Sequence, residues 1–468
     1  MADREPMVGA FDTYVESTES DQSSRSGEKG RCLKNLTTLS VAFMLVFTAF
    51  NSIQNLQSSV NQSYGLGVAS LSTIYTSFIV SCLVSPSLIR HLGSKRTMVY
   101  SVVFYALYAG ANFFDDAFTL IPASICLGLA AGPLWTAQGS YLTTLSVKYA
   151  EATSDSREIS INYFNGIFYM FLLSSQIWGN LISSFILYGG INLEASNDPA
   201  FCGSGFCPGR DLPWGATSIG NNQALVDLLM SVYFGSIVLG YVILRCLLDE
   251  IPKRPERQRG SGDGSSNSAL MATLRLLCDR SLYLLVPLMT YTGVQMAFIS
   301  GDFTQSFVSC CLGVHHIGYI MTVCGVAQVT TSFILGKTRK FVGRFTLFLT
   351  GAVIHLGLLA VMSQWEPERE DENLFLLVAA MWGIGDAIWQ TQVSSILGVL
   401  YPDNQEPAFS NYRLWQSLGS AIAFGYSHYV CMIPKICIAG GLLLVSILMY
   451  MVFEYKNRNN RSIRKMDI

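Results

Sequence analysis

The chain has 468 residues, of which 50% are hydrophobic and only 13% are charged, and its formal net charge is -2. Soluble domains carry about 25% charged residues, so this composition excludes an ordinary soluble domain. The small net charge also provides no general attraction for nucleic acid.

Apolar residues are grouped in blocks of about twenty residues, the length that a helix needs to cross the ~30 Å hydrocarbon core of a bilayer. We therefore predict an all-α membrane protein with about twelve transmembrane helices. The predicted spans are 35–55, 68–89, 97–114, 118–141, 162–187, 223–248, 281–302, 313–335, 345–363, 373–399, 408–429 and 434–454.

Polar segments divide the chain into parts. The N-terminal segment is rich in Ser, Glu and Asp, which is typical of disorder, and the stretch "DEIPKRPERQRGSGDGSSNS" is typical of a flexible linker. The predicted organisation is a disordered cytoplasmic tail (1–34), an N-terminal six-helix bundle (35–248), a cytoplasmic linker (249–280), a C-terminal six-helix bundle (281–455) and a basic cytoplasmic tail (456–468).

Lys and Arg are concentrated in alternate loops between the predicted spans. The other set of loops holds only Arg210, Arg369 and Lys435. By the positive-inside rule both termini are cytoplasmic, although the 400–408 loop on that side has no Lys or Arg. We expect the protein in the plasma membrane, with the endosomal membrane as the alternative.

The largest predicted outer loop, 188–222, contains the sequence "FCGSGFC". Because disulfides persist outside the cell, this sequence predicts a disulfide between Cys202 and Cys207, with two free thiols as the alternative. The glycosylation sequon at Asn61 lies in a loop so short that we expect it to stay unmodified.

Polar and aromatic residues recur between the two halves of the chain. Trp135 with Gln138 is matched by Trp389 with Gln392, an offset of 254 residues. Three other matches have offsets of 246 to 250 residues: Leu66 with Leu312, Gly93 with Gly343, and Asn162 with Asn411. Such a duplication predicts two pseudo-symmetric six-helix bundles of the major facilitator kind.

The basic loops after spans two and eight resemble the loop signature of the major facilitator superfamily. "GKTRKFVGR" keeps the glycines and Arg344, but Lys340 stands where the signature has an acid. In the first half, Pro86 replaces the first glycine and Arg90 replaces the acid. The resemblance implies that this acid locks the cytoplasmic gate, so its loss argues against standard alternating access.

Longer motifs over residues 33–455 resemble the unc-ninety-three family, A branch. They are "LIPASICLGLAAGPLWTAQGSYLTT", "WGNLISS", "WGIGDAIWQTQ", "NYRLWQSLGSAIAFGYS" and the outer-loop cysteine pair. The resemblance implies regulation of two-pore-domain potassium channels. Members of a sister branch escort other membrane proteins, so the resemblance also makes an escort role an alternative. It implies no substrate or catalytic residues.

Asp386 is placed near the centre of the tenth span, where an acid costs about +2.5 to +3.5 kcal/mol on insertion scales. Its predicted partner is Arg413 in span eleven. The pair would either staple the C-terminal half or bind an ion-coupled solute, and the alternative is a protonated, hydrogen-bonded Asp386 without a functional role.

Other polar residues are predicted to face neighbouring helices or a cavity. Asn51, Gln54 and Asn55 lie on one face of span one. The two Trp–Gln pairs are expected to bond between helices, with substrate contact as the alternative. Gln295 and Asp302 share one face of span seven, and we expect them to line a cavity open to the outside. His315 and His316 at the start of span eight are expected to be ordinary interfacial histidines, with pH sensing or metal binding together with Asp302 as the alternative.

The sequence has no phosphate-binding loop, nucleophile elbow or metal-binding cluster, so we predict no enzyme and no cofactor. The favoured function is a non-enzymatic regulator of potassium channels at the plasma membrane. The alternatives are a secondary transporter of a small solute or ion and a trafficking escort for other membrane proteins.

Overall fold

The structure is a computed structural model, and it describes residues 6–60, 66–114, 116–187, 202–208, 223–251, 266–277, 279–313, 315–338, 342–402 and 404–466. These residues form fourteen α-helices. Those of the first half are α1 (Pro6–Val60), α2 (Leu66–Leu92), α3 (Ser94–Ala111), α4 (Ala117–Thr153), α5 (Arg157–Leu187) and α6 (Gln223–Leu247). The rest are α7 (Ser266–Leu277), α8 (Arg280–Tyr283), α9 (Val286–Ala297), α10 (His315–Thr338), α11 (Arg344–Gln364), α12 (Glu372–Leu400), α13 (Gln405–Ser427) and α14 (Met432–Met466).

Twelve of these helices lie at the positions of the predicted spans, with α9 continued by a π-helical segment, Phe298–Ser309. Eight are long and apolar enough to cross a membrane by length and composition: α1, α2, α4, α6, α10, α11, α12 and α14. The other four, α3, α5, α9 and α13, pack among them. The prediction of an all-α membrane protein with about twelve transmembrane helices is confirmed.

The structure differs from the prediction in the tail and the linker. Helix α1 begins at Pro6, so residues predicted as a disordered tail are helical in the structure. Once a helix has formed, each residue added to its end gains one backbone hydrogen bond. A prediction from composition alone does not include this gain. The predicted linker contains α7, and α8 begins at its last residue, Arg280. Asp279 caps α8 by accepting hydrogen bonds from the N–H groups of Ser281 and Leu282.

The four disulfide-bonded cysteines lie at one end of the bundle. We call the end that contains Cys202, Cys207, Cys310 and Cys431 the disulfide end. The opposite end, where α6 ends and α8 begins, is the linker end.

Asp249, just after α6, bonds to α1 at the linker end of the first half. Its carboxylate accepts hydrogen bonds from Lys34 Nζ (3.0 Å) and Asn35 Nδ2 (3.2 Å). The hydrogen bond from the Lys34 ammonium is the main reason that the pKa of Asp249 lies below its ordinary value. The start of the first span and the end of the sixth are therefore held together at this point.

The two halves meet along two helix pairs, α2 with α13 and α5 with α10. Near the linker end, a Cβ added to Gly166 of α5 would lie 2.4 Å from the Cα of Gly336 in α10. Near the disulfide end, a Cβ added to Gly318 of α10 would lie 2.0 Å from Ser184 Oγ of α5. Small residues allow this close approach of helices in membranes, and the halves are in contact at both ends.

Gly166→Ala is expected to lower the melting temperature of the purified protein, because the added methyl group would force α5 away from the backbone of α10. Overpacking of this kind costs about 1–3 kcal/mol. Gly357→Ala in α11 is the matched control, since nothing lies within 4 Å of its added Cβ. Equal melting temperatures for the two variants would show that the close approach of α5 and α10 is wrong.

The predicted Cys202–Cys207 disulfide is wrong. Cys202 is bonded to Cys310 and Cys207 is bonded to Cys431. The segment between them makes a 3-10 turn, Gly203–Gly205, that lies across the second half. Ser204 N–H donates to the Trp365 carbonyl (3.2 Å), and Met432 N–H donates to the Phe206 carbonyl (2.9 Å). These contacts direct the two cysteines to different elements, so the loop of the first half is covalently attached to the second half.

Candidate functional site

Asp386 lies on α12 and is 6% exposed. Its carboxylate accepts hydrogen bonds from Gln295 Nε2 of α9 and from Gln328 Nε2 of α10, the latter at 2.7 Å. The predicted ion pair with Arg413 is wrong, because Arg413 contacts α4 and α5 of the other half. Three helices of the second half therefore meet at an acid that is held by neutral amides.

A chain of hydrogen bonds continues from this acid. Gln295 Oε1 accepts from Trp382 Nε1 (3.0 Å). The Trp382 carbonyl lies 3.2 Å from His355 Nε2, and His355 Nδ1 lies 2.7 Å from the Tyr291 hydroxyl and 3.3 Å from Trp389 Nε1. A carbonyl can only accept and an indole N–H can only donate, so these partners fit a neutral His355 that carries its proton on Nε2.

His355 was missed by the sequence reasoning. It lies in the middle of α11, is 0% exposed and stacks on Trp382 with ring centroids 4.3 Å apart. A Cβ at Gly385 would lie 2.1 Å from His355 Nε2, so glycine makes room for the ring. The signal available in the sequence was a histidine in the centre of an otherwise apolar span.

Arg413 lies on α13 and is 4% exposed. Its Nη1 donates to Gln416 Oε1 (2.6 Å) and its Nη2 donates to the Tyr169 hydroxyl of α5 (3.3 Å). Its guanidinium carbon lies 4.1 Å from the centre of the Trp135 ring of α4 and 4.7 Å from that of Tyr412. A permanent positive charge is therefore buried between the two halves, against aromatic rings.

The polar face of span one contacts two partners. Asn51 donates to Ser175 Oγ (2.9 Å), and Asn55 donates to Gln176 and Asn180 (3.1 and 3.2 Å), so both bond to α5. Gln54 accepts from the Tyr75 hydroxyl of α2 (3.0 Å) and donates to Ser300 Oγ of the other half (3.3 Å). The face contacts neighbouring helices, one of the two predicted outcomes, and Gln54 joins the halves.

The two repeated tryptophans have different surroundings. Trp135 packs against Phe47 of α1, with ring centroids 4.8 Å apart, and beneath Arg413. Trp389 bonds to His355 of α11, which is the predicted contact between helices. Gln138 and Gln392 are both 2% exposed, and Gln392 Nε2 lies 3.5 Å from Thr391 Oγ1. The two tryptophans of the repeat therefore contact different side chains.

Asp302 lies in the π-helical segment and forms a buried ion pair with Lys435 of α14, at 2.7 Å. The side chains are 2% and 1% exposed, respectively. Asp302 also accepts from Ser427 Oγ (2.6 Å), and Lys435 donates to the Ser427 carbonyl (2.8 Å). The predicted outward cavity lined by Gln295 and Asp302 is wrong, because Gln295 is 0% exposed and both side chains bond to protein groups.

The histidines at the start of α10 give no support for a metal site. His316 Nδ1 lies 2.9 Å from the Leu312 carbonyl. The His315 side chain and the Asn61 sequon are outside the described residues. Across the part of the chain that the structure describes, no group of three or more His, Cys, Asp or Glu side chains is arranged to hold a metal ion.

At the linker end, polar bonds join the two halves. Arg344 is the arginine of the loop signature that this chain retains, and it pairs with Glu158 at the start of α5 (2.9 Å). Ser395 Oγ donates to Asn162 Oδ1 (2.7 Å). Arg344 is thus paired with a carboxylate from the first turn of another helix, where the helix dipole favours negative charge.

Sequence similarity places the chain among known proteins. The family model described as "Ion channel regulatory protein UNC-93" matches residues 58–451. The chain is 40% identical to protein unc-93 homolog A of Xenopus laevis over 430 residues, which cover 90% of this chain and 93% of that protein. It is 32% identical to the putative potassium channel regulatory protein unc-93 of Caenorhabditis elegans, over 91% of this chain and 61% of that protein.

Solved structures with the same fold are transporters of the major facilitator superfamily. The fucose:proton symporter of E. coli aligns with a TM-score of 0.62 and 14% identity over 89% of this chain and 98% of that chain. The proton:xylose symporter aligns with a TM-score of 0.62 and 12% identity over 91% of this chain and 96% of that chain. At this identity the likeness concerns the fold alone, and the family follows from the sequence matches: the chain belongs to the UNC-93 family.

Proposed function

We propose that the protein is a non-enzymatic regulator of potassium channel activity in the plasma membrane, acting on a two-pore-domain potassium channel. The observation that carries the proposal is the match over residues 58–451 to a family described as ion channel regulatory. The relative from Caenorhabditis elegans, which is named a putative potassium channel regulatory protein, matches over 91% of this chain.

Contacts at both ends of the bundle support a regulator. At the linker end the halves are joined by the Glu158–Arg344 ion pair. At the disulfide end they are joined by the Gln54–Ser300 hydrogen bond and by two disulfides that attach the α5–α6 loop to the second half. Alternating access opens the halves at one end at a time, so it would have to break either the Glu158–Arg344 ion pair or the Gln54–Ser300 hydrogen bond in each cycle, whereas a regulator can keep both.

We infer that the disulfide end faces the outside of the cell. Disulfides form and persist in oxidising compartments, and the Lys- and Arg-rich loops belong to the linker end, which the positive-inside rule places in the cytoplasm. Both termini are then cytoplasmic. A channel partner would meet the apolar sides of the helices within the bilayer.

Whole-cell current tests the proposal. The protein is expressed alone and together with a two-pore-domain potassium channel. We expect the potassium current to change only when both are present. We expect Asp386→Asn to leave this change intact, because Gln328 can rotate its amide so that its Oε1, which has no hydrogen-bond partner among the described residues, accepts from the new Asn. Asp155→Asn on the exposed surface is the matched control.

The second candidate is a secondary transporter, and Asp386 favours it. The buried carboxylate has only amide donors among the described residues, which is the environment of a group that exchanges a proton or a cation. A current that depends on an added solute without the channel, and that disappears in Asp386→Asn but not in Asp155→Asn, would establish transport. An unchanged potassium current with the channel present would contradict the regulator.

A further inference from the structure

Four Asp, Glu, Lys or Arg side chains are buried in the described residues: Asp302, Lys435, Asp386 and Arg413. Asp302 and Lys435 neutralise each other. Asp386 is held by the amides of α9 and α10. Arg413 is left, among the described residues, without an acidic partner. Its guanidinium stays protonated in proteins, and burying an unpaired charge at membrane depth is costly.

The three nitrogen atoms of the Arg413 guanidinium differ in their hydrogen bonds. Nη1 donates one of its two N–H groups to Gln416 Oε1 at 2.6 Å. Nη2 makes a longer bond of 3.3 Å to the Tyr169 hydroxyl, which is itself bonded to Ser394 Oγ at 2.6 Å. Nε has no hydrogen-bond partner among the described residues. Nε–H and Nη2–H lie on the same edge of the guanidinium, and this edge matches the two oxygens of a carboxylate.

The rings around Arg413 hold this edge in place. Trp135 and Tyr412 lie 4.1 and 4.7 Å from the guanidinium carbon. Cation–π contacts fix the plane of the group and leave its N–H edge free to bind. The groups around Arg413 are these two rings, the Gln416 amide and the hydroxyls of Tyr169 and Ser394, so an anion with an organic body suits them better than a strongly hydrated inorganic ion.

We propose that Arg413 binds the carboxylate of a small organic anion, with Nε and Nη2 as donors and the Tyr169 hydroxyl beside them. Trp135 and Tyr169 come from the first half, and Arg413 and Gln416 come from the second. The ligand would therefore bind at the interface of the halves and stabilise their closed arrangement. This proposal goes beyond channel regulation and does not depend on it.

Thermal unfolding of the purified full-length protein tests the site. A thiol-reactive dye reports unfolding through the buried free cysteines Cys82 and Cys324. Sodium benzoate is compared with neutral benzamide, and sodium acetate with acetamide, at constant ionic strength set by sodium chloride. We expect at least one carboxylate to raise the melting temperature by about 2 °C or more at saturation, and the amides to have no effect.

Variants locate the effect. Arg413→Gln should abolish the carboxylate-dependent shift, while Arg96→Gln, which removes an exposed positive charge in a pair with Glu250, should keep it. If Arg413→Gln fails to fold, Arg413→Lys keeps the charge but lacks the fork, and its apparent affinity should fall about tenfold, the loss expected for one charge-assisted hydrogen bond. Equal effects of carboxylate and amide in the wild type, or an unchanged affinity in Arg413→Lys, would overturn the proposal.

Discussion

Lys435→Met is expected to destabilise the protein by about 3–5 kcal/mol, because it leaves Asp302 as a buried charge without a partner. Among the described residues, the Asp302 carboxylate would keep only the hydrogen bond from Ser427. Asp302→Leu should cost a similar amount by leaving the Lys435 ammonium uncompensated. The double variant should recover most of the loss, since replacing both charges by apolar groups of similar size is often neutral.

The melting temperatures of the wild type, both single variants and the double variant measure this coupling as a double-mutant cycle. Lys34→Met is the matched control, because Lys34 also pairs with an aspartate but is 51% exposed. An exposed pair contributes at most about 1 kcal/mol, so Lys34→Met should change little. A double variant no more stable than either single one would contradict the ion pair.

The twelve helices could be predicted because bilayer thickness sets their length. Blocks such as 68–89 and 345–363 have the length and apolar composition of a transmembrane helix. The repeat indicated two halves, and α5 and α13 were predicted although neither meets the composition criterion for a span. Their polar residues, such as Asn162 and Asn411, are buried and bond to other helices.

The pairing of buried charges could not be predicted, because sequence gives the depth of a residue but not the rotation of its helix. Asp386 and Arg413 are both buried in the protein, but the predicted pairing between them is wrong. Helix α13 turns Arg413 towards α4 and α5, while α12 turns Asp386 towards α9 and α10. Lys435 was interpreted as a loop residue, although it lies in the first turn of α14 and is 0% exposed.

The true disulfide partners did leave a signal in the sequence. Cys310 falls between predicted spans seven and eight, and Cys431 falls between spans eleven and twelve, so both were already in outer loops beside the loop that holds Cys202 and Cys207. Spacing within "FCGSGFC" pointed to the nearest pair instead. Because Cys311 lies beside Cys310 in the same predicted loop, the sequence leaves many pairings open, and only the packing of residues 202–208 against the second half selects Cys310 and Cys431.

Releasing one of these disulfides is the second large effect that we expect. The Cys207→Ser, Cys431→Ser double variant opens a closed loop in which the two cysteines are 224 residues apart. Loss of a native disulfide costs about 2–5 kcal/mol, and in the chain-entropy model the loss grows with loop length. The melting temperature should fall, and peptide mapping without reduction should recover Cys202 linked to Cys310 in the variant and both pairs in the wild type.

Cys437→Ser is the matched control, because Cys437 is free and exposed and its loss should leave the melting temperature unchanged. A wild-type peptide map with Cys202 joined to Cys207 would reverse the assignment. The double variant also separates two effects of the loop on function. If channel regulation needs the second half to hold the α5–α6 loop, the change in potassium current should be lost at temperatures where the variant is still folded. If the disulfides only add stability, the change in current should persist until the variant unfolds.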